Sequence, residues 1–239
     1  MKSFSQYLEE IWIAPSNRAK YGQVIFLVGG AASGKSTAIK KFIDDASYKV
    51  LNPDDTKALI SKAAQQGLGA FKDLKGIDPN TPEGSQELHQ YILKTKLSSK
   101  RARLVTQKTN RAELPNIIYD RTFSFAGEFK KISQSLVRAG YKAKNIHVVF
   151  VFTDVEIALK RNRERSRTLP DDVIIKSTKG SKDRFIDLFF SREKGAVANG
   201  EYHIIINRGS SAIKVKDAGK RIDREGEIAK KVGKLLKIS

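Results

Sequence analysis

The stretch Gly29-Gly30-Ala31-Ala32-Ser33-Gly34-Lys35-Ser36-Thr37 has the spacing G-x-x-x-x-G-K-[ST]. Glycines at both ends let a backbone wrap around phosphate oxygens. Successive N–H groups and the N-terminus of a following helix then offer those oxygens positive potential. Lys35 would reach the β/γ-phosphates, and the Ser36 hydroxyl would hold Mg2+. All nine residues read as a nucleoside-triphosphate cradle, so ATP and Mg2+ are the expected cofactors.

Three further groups of residues have types suited to phosphate chemistry. The run Asn52-Pro53-Asp54-Asp55-Thr56-Lys57 sets two carboxylates side by side. One of them is expected to cap a helix from about Thr56 to Gln66, and the other to accept a proton from a hydroxyl attacking phosphorus. The residues themselves leave open whether Asp54 or Asp55 is that base. Asp120 opens Asp120-Arg121-Thr122 and is expected to orient the acceptor or a metal-bound water, sharing the Mg2+ with Ser36. In the arginine-rich segment 159–173, Arg161 and Arg165 stand at i,i+4 on one helix face. Arginines so placed neutralise a transferring phosphoryl group and are worth about 10³–10⁵ in rate. Asn207, just past the apolar run 202–206, is counted with the nucleotide-binding residues.

The elements that must position these groups are legible as short apolar runs. Val24–Val28 is wholly apolar, as a strand covered on both faces must be, and helical spacing of Ile39, Phe42 and Ile43 follows the loop. Runs at 48–51, 116–119, 147–152 and 202–206 alternate with helical patterns, including a long one over 85–111 and one over 126–139. The fold class expected is α/β: a doubly wound, parallel, five-stranded sheet with a helical insert and an arginine-bearing lid. In such sheets ligands sit beyond the carboxyl ends of the strands, which brings Asp54, Asp55 and Asp120 toward the γ-phosphate. The expected organisation is an N-terminal helical extension over 1–20 and one domain over 21–239. Within that domain the basic helical insert spans 60–112, the lid 155–180 and a C-terminal helix 210–239.

Composition narrows the function classes. The absence of cysteine excludes disulfides, thiolate metal sites and thiol catalysis. No apolar run approaches the roughly 20 residues that span a bilayer. The N-terminus, with Glu9 and Glu10, is not a secretory signal. A cytoplasmic protein without a membrane partner is expected. Lys and Arg number 45 against 26 Asp and Glu, a net charge of +19, which points to a polyanionic partner, nucleic acid first. The densest one-signed stretch is 94–111, where Arg101 and Arg103 with Lys94, Lys96, Lys100, Lys108 and Arg111 fit a phosphate-backbone track.

Taken together, these segments resemble the kinase domain of phage polynucleotide kinases and the related zeta-toxin-like kinases. Gly29 through Thr37 matches the phosphate loop. Asn52 through Lys57 resembles the Asn-x-Asp-Asp-x-Arg segment, whose first Asp is the general base. Asp120 and Thr122 resemble the third-strand Asp-Thr, and Arg161, Asn162, Arg165 and Asp172 the lid. The resemblance covers roughly 22–175. It implies an ATP:hydroxyl phosphotransferase in which Lys35, Asp54, Arg161 and Arg165 are catalytic. Asp55, Lys57 and Asp120 would face the acceptor, joined by Arg101 and Arg103 where that acceptor is a polynucleotide. Lys57 replaces an arginine that grips the acceptor phosphate in that family, so the bidentate grip is lost there. The acceptor this implies is a 5′-hydroxyl or a modified base of a polynucleotide, with a nucleotide sugar or nucleoside as the alternative. Two other classes stay open: a nucleic-acid-stimulated ATPase, and a nucleotide-binding chaperone that would tolerate loss of Asp54. The ATPase requires a water-activating glutamate near 153–156, where Glu156 is displaced by one position.

Overall fold

In the computed structural model the chain is described at residues 21–43, 47–97, 100, 102–103, 113–165, 168–190, 194–206, 211–220 and 226–236. The expected extension over 1–20 lies outside these residues, as do Arg101 and Asn207.

The strand β1 (Val24–Val28) has no solvent exposure at any position. It lies between β3 (Asn116–Arg121) and β4 (Ile146–Phe152), with Val24 opposite both Ile117 and Ile146. β2 (Tyr48–Leu51) pairs outside β3, and β5 (Tyr202–Ile206) outside β4, all parallel. With β6 (Ser211–Lys216) beyond β5, the order is β2-β3-β1-β4-β5-β6. Alternate residues feed two cores. Phe26, Tyr119, Val148 and Ile204 face one side, packed under Phe129 and Leu136 of α4 (Glu128–Arg138) and Phe185 and Phe189 of α6 (Asp171–Phe189). Ile25, Leu27, Ile118 and Val149 face the other, under Ala38, Ile39 and Phe42 of α1 (Lys35–Phe42). That double coverage is why the central strands are apolar at every position.

Among the described residues the sheet has six strands rather than the five expected. The sixth, β6 (Ser211–Lys216), runs antiparallel along β5. Val215 is buried while Ile213, two residues before it, is exposed, and the register with β5 shifts at Val215, where Tyr202 faces Lys216 and His203 faces Lys214. It takes the first part of the stretch expected as helix, so α7 (Glu227–Leu236) begins later.

Helical bounds also shift. α2 (Pro53–Gln65) starts three residues earlier than expected, because Asn52 caps it and Pro53 fits its first turn. The long helix expected over 85–111 is broken: α3 (Pro82–Thr95) ends where Lys96 turns left-handed at φ 54°. Ile60 and Ala64 of α2 and Leu88 and Ile92 of α3 build a small separate core with Leu74. The lid segment is two helices, α5 (Val155–Arg163) and α6, joined through 164–170. Among the described residues, no helix is long and apolar enough to cross a membrane.

Candidate active site

β1 delivers the chain into the glycine-rich turn, and α1 leaves it at Lys35. Gly34 adopts φ 89° and Ala32 φ 59°, so the turn holds a left-handed non-glycine residue of the kind found in strained binding loops. Thr153, at the end of β4, donates its hydroxyl to Ser33 O at 2.9 Å and braces the loop from the far side. Lys35 Nζ donates to Gly29 O at 3.0 Å and Gly30 O at 3.1 Å, closing its side chain over the loop. Ser36 and Thr37 are exposed in the first turn of α1.

Asp120 stands opposite Leu27 in the β3–β1 register, one residue before the strand ends, and this brings it to Lys35. Its Oδ1 lies 4.0 Å from Lys35 Nζ. That oxygen is buried and accepts no hydrogen bond among the described residues, while Oδ2 accepts one from Asn52 Nδ2 at 2.9 Å. Burial pushes the Asp120 carboxyl above its ordinary range, against the opposing pull of Lys35. Burial likewise lowers Lys35, with the positive charge of Arg165 adding to it and Asp120 and Asp54 opposing. Those mutual effects bring Lys35, Asp120, Asp54 and Arg165 into one electrostatic cluster, and Asp55 acts on Asp120 as well.

Both acids of the pair fall in the first turn of α2 and are exposed; neither caps it. The cap is Asn52, whose Oδ1 accepts the Asp54 N–H at 2.8 Å. The Asp54 carboxylate meets Lys57 Nζ at 3.2 Å instead. Lys57 is buried and also donates to Ser85 Oγ of α3 at 3.0 Å, so α3 holds it against Asp54. His89, one turn along α3, is kept below its usual range by burial and then by the charge of Lys57, with a smaller push from Arg121. Arg121 Nη1 bonds Glu128 Oε1 at 2.8 Å on the same side of the crevice.

The helix α5 ends at Arg163, so Arg165 lies in the turn beyond it and the shared helix face with Arg161 does not form. Arg161 is half-buried and Arg165 exposed. Arg103 is exposed, and none of the contacts above involves it. Sequence reasoning passed over Asn52, Ser85, His89, Arg121 and Thr153 as site residues. The Asn-Pro start of α2 could have flagged Asn52 as a cap; the others carry no local signal.

The oxygens fit Mg2+. Asp120 Oδ1 is buried without a hydrogen-bond donor, and Ser36 offers an exposed hydroxyl at the head of α1. A magnesium ion held between protein and phosphates needs only one or two carboxylates.

A family model described as the AAA domain matches residues 24–186. No curated protein sequence matches the chain. Among solved structures, the AvrRxo1-ORF1:-ORF2 complex aligns at a TM-score of 0.59 and 18% identity, over 90% of this chain and 64% of that one. The same complex with ATP aligns at 0.59 and 18%, over 92% and 65%. The chain therefore spans less than two thirds of the AvrRxo1 chain. A structure of the PezAT chromosomal toxin–antitoxin system of Streptococcus pneumoniae aligns at 0.51 and 15%, over 97% and 91%. These likenesses are of fold. With the phosphate loop, the parallel sheet and the family match over most of its length, the chain belongs to the AAA-domain family of P-loop nucleotide-binding proteins.

Proposed function

We propose that this protein transfers the γ-phosphate of ATP to a hydroxyl group, and that the acceptor is a polynucleotide, at a 5′-hydroxyl or on a modified base. The observation that carries the transferase reading is the pair of carboxylates on neighbouring strand ends. Asp120 lies beside Lys35, and Asp54, at the head of α2 and paired with Lys57, lies within electrostatic reach of both.

In this reading Lys35 and the loop N–H groups hold the triphosphate. Ser36 and Asp120 would hold Mg2+, which supplies charge neutralisation to the phosphates. Asp54 accepts the proton of the acceptor hydroxyl as its oxygen bonds to the γ-phosphorus and the bond to the β-phosphate oxygen breaks, leaving ADP. The proton then passes from Asp54 to solvent. Arg165, with Arg161 of α5, offsets the charge on the phosphoryl group in flight. Lys57, held by Ser85, faces the acceptor side.

The polynucleotide is favoured by the net charge of +19. A nucleotide sugar or nucleoside is the second reading, favoured by the closed setting of Lys57 against Asp54 and Ser85, which suits a compact acceptor. An ATPase is disfavoured: Thr153 is committed to Ser33, and Glu156 is exposed in the first turn of α5. The test is transfer of labelled γ-phosphate to 5′-hydroxyl DNA, 5′-hydroxyl RNA, nucleotide sugars and nucleosides in parallel, with Asp54→Asn as control. Label on a polynucleotide, lost in the variant, is the expected result. Phosphate released to water alone, with the variant unaffected, overturns the reading.

A further inference from the structure

Helix α6, which follows the lid, grips the phosphate loop. The Ala31 N–H donates to Ser177 Oγ at 3.0 Å, and the same hydroxyl donates to Ile174 O at 3.1 Å, so its proton and a lone pair are both engaged. Beside it, a Cβ on Gly30 would stand 2.6 Å from Thr178 Oγ1 and 2.7 Å from Thr178 Cα. Only a glycine lets the loop come this close to the helix. Two residues further along, a Cβ on Gly180 would stand 2.9 Å from Ser124 Cβ, in the segment that leaves β3 just after Asp120 and Arg121. One helix thus touches the donor loop and the acceptor-side loop at glycine-narrow contacts.

The part of the loop it grips is the γ-phosphate end. Lys35, the side chain that meets the β/γ-phosphates, rests on the carbonyls of Gly29 and Gly30, next to Ala31. We propose that Ser177 is a positioning residue for the γ-phosphate. Through the Ala31 N–H it fixes the loop in the shape that receives ATP, and it links that shape to the helix that continues the Arg165 lid. The proposal rests on the phosphotransferase reading, in which the γ-phosphate is the group bound and moved. A hydrogen bond that merely stabilised the fold would loosen the loop for every nucleotide alike. One that shapes the γ end separates ATP from ADP.

The experiment is equilibrium binding of ATP and of ADP, with MgCl2 and without acceptor, to the full chain and to Ser177→Ala and Ser177→Thr. Thermal melting of each protein alone is recorded alongside. Ser177→Ala is expected to weaken ATP by about 5–10-fold, the size of one lost hydrogen bond, and ADP by less than about twofold. Ser177→Thr, which keeps the hydroxyl, is expected to bind ATP like the parent. Equal losses for ATP and ADP, no loss for either, or a threonine variant as weak as the alanine one each overturn the proposal. Labelled-phosphate transfer is run separately. A parent that binds ATP and labels no acceptor defeats the transferase reading, while the ATP-to-ADP ratio still decides the role of Ser177.

Discussion

Asn52 holds Asp120 from the end of the neighbouring strand, donating Nδ2 to Asp120 Oδ2 at 2.9 Å while its Oδ1 caps α2 through the Asp54 N–H. One amide therefore holds the Asp120 carboxylate and the first turn of the helix that carries Asp54. Asn52→Ala removes the cap, worth about 1 kcal/mol, and strips the buried Asp120 of the Asn52 amide donor. Transfer is expected to fall at least about tenfold with a loss of stability near that cap value. Asn52→Asp keeps the cap but sets a second negative charge against Asp120, so it is expected to transfer more slowly than the alanine variant while denaturing at higher urea. Urea titration with a labelled-phosphate assay checks both, and an aspartate variant faster than the alanine one counts against the orienting role.

Asp54 and Asp55 differ in their neighbours rather than their exposure. Asp54 meets Lys57 at 3.2 Å and acts on both Lys35 and Asp120, whereas the effect found for Asp55 is on Asp120. Asp54→Asn is expected to lose about 10²–10⁴ in transfer rate, the size of a general-base contribution. Asp55→Asn is expected to keep transfer within about tenfold. Because both side chains are exposed, stability should stay within about 0.5 kcal/mol for each. Rates and melting curves for the two variants decide between them, and the reverse ranking would make Asp55 the base.

The donor half of this site was legible because its chemistry is local. Nine consecutive residues build the phosphate loop, and an apolar run and a helical spacing on either side fix its setting. Asp120 was legible for a different reason: it ends an apolar run, and strand ends in parallel sheets converge on one crevice. What failed was whatever depended on long-range partners. The clasp between Ala31 and Ser177 joins residues 146 apart, and nothing near Ser177 announces it. The arginines at i,i+4 assumed a helix that ends at Arg163, a boundary set by Asn162 turning to bond Leu169. The sixth strand was missed because an edge strand with alternating lysines also reads as an amphipathic helix or a solvated loop.

Asn162, near the end of α5, is tied to Leu169, just before α6. Its Nδ2 donates to Leu169 O at 2.7 Å, and its Oδ1 accepts the Leu169 N–H at 3.0 Å, with only 1% of the residue exposed. Asn162→Ala leaves both backbone groups of Leu169 without these partners, so the segment carrying Arg165 should open more often. Trypsin, cutting after the arginines of 163–167, is expected to nick the variant at least about fivefold faster than the parent, with transfer falling in step. Transfer unchanged in a protein nicked faster would separate lid order from catalysis.

His147 gives the fold a defined acid sensitivity far from the crevice. Its Nδ1 accepts the Glu201 N–H at 2.9 Å, so Nε2 carries the proton and meets Gln23 Oε1 at 2.8 Å. Burial holds the imidazole down at about 4, against a weak upward pull from Glu201, with His203 and Lys216 pushing the same way as burial. The folded value lies below the unfolded 6.5, so the unfolded chain binds the proton first as pH falls. The stability from neutral His147 is complete above pH 6.5 and is lost progressively down to about 4, by about 3 kcal/mol in total and about 2 kcal/mol at pH 5. His147→Gln keeps hydrogen-bonding capacity but cannot titrate. It is expected to be less stable than the parent at pH 7.5, with the gap shrinking by about 2 kcal/mol at pH 5. Urea denaturation at the two pH values measures this gap, and a gap of constant size would assign the acid sensitivity to other groups.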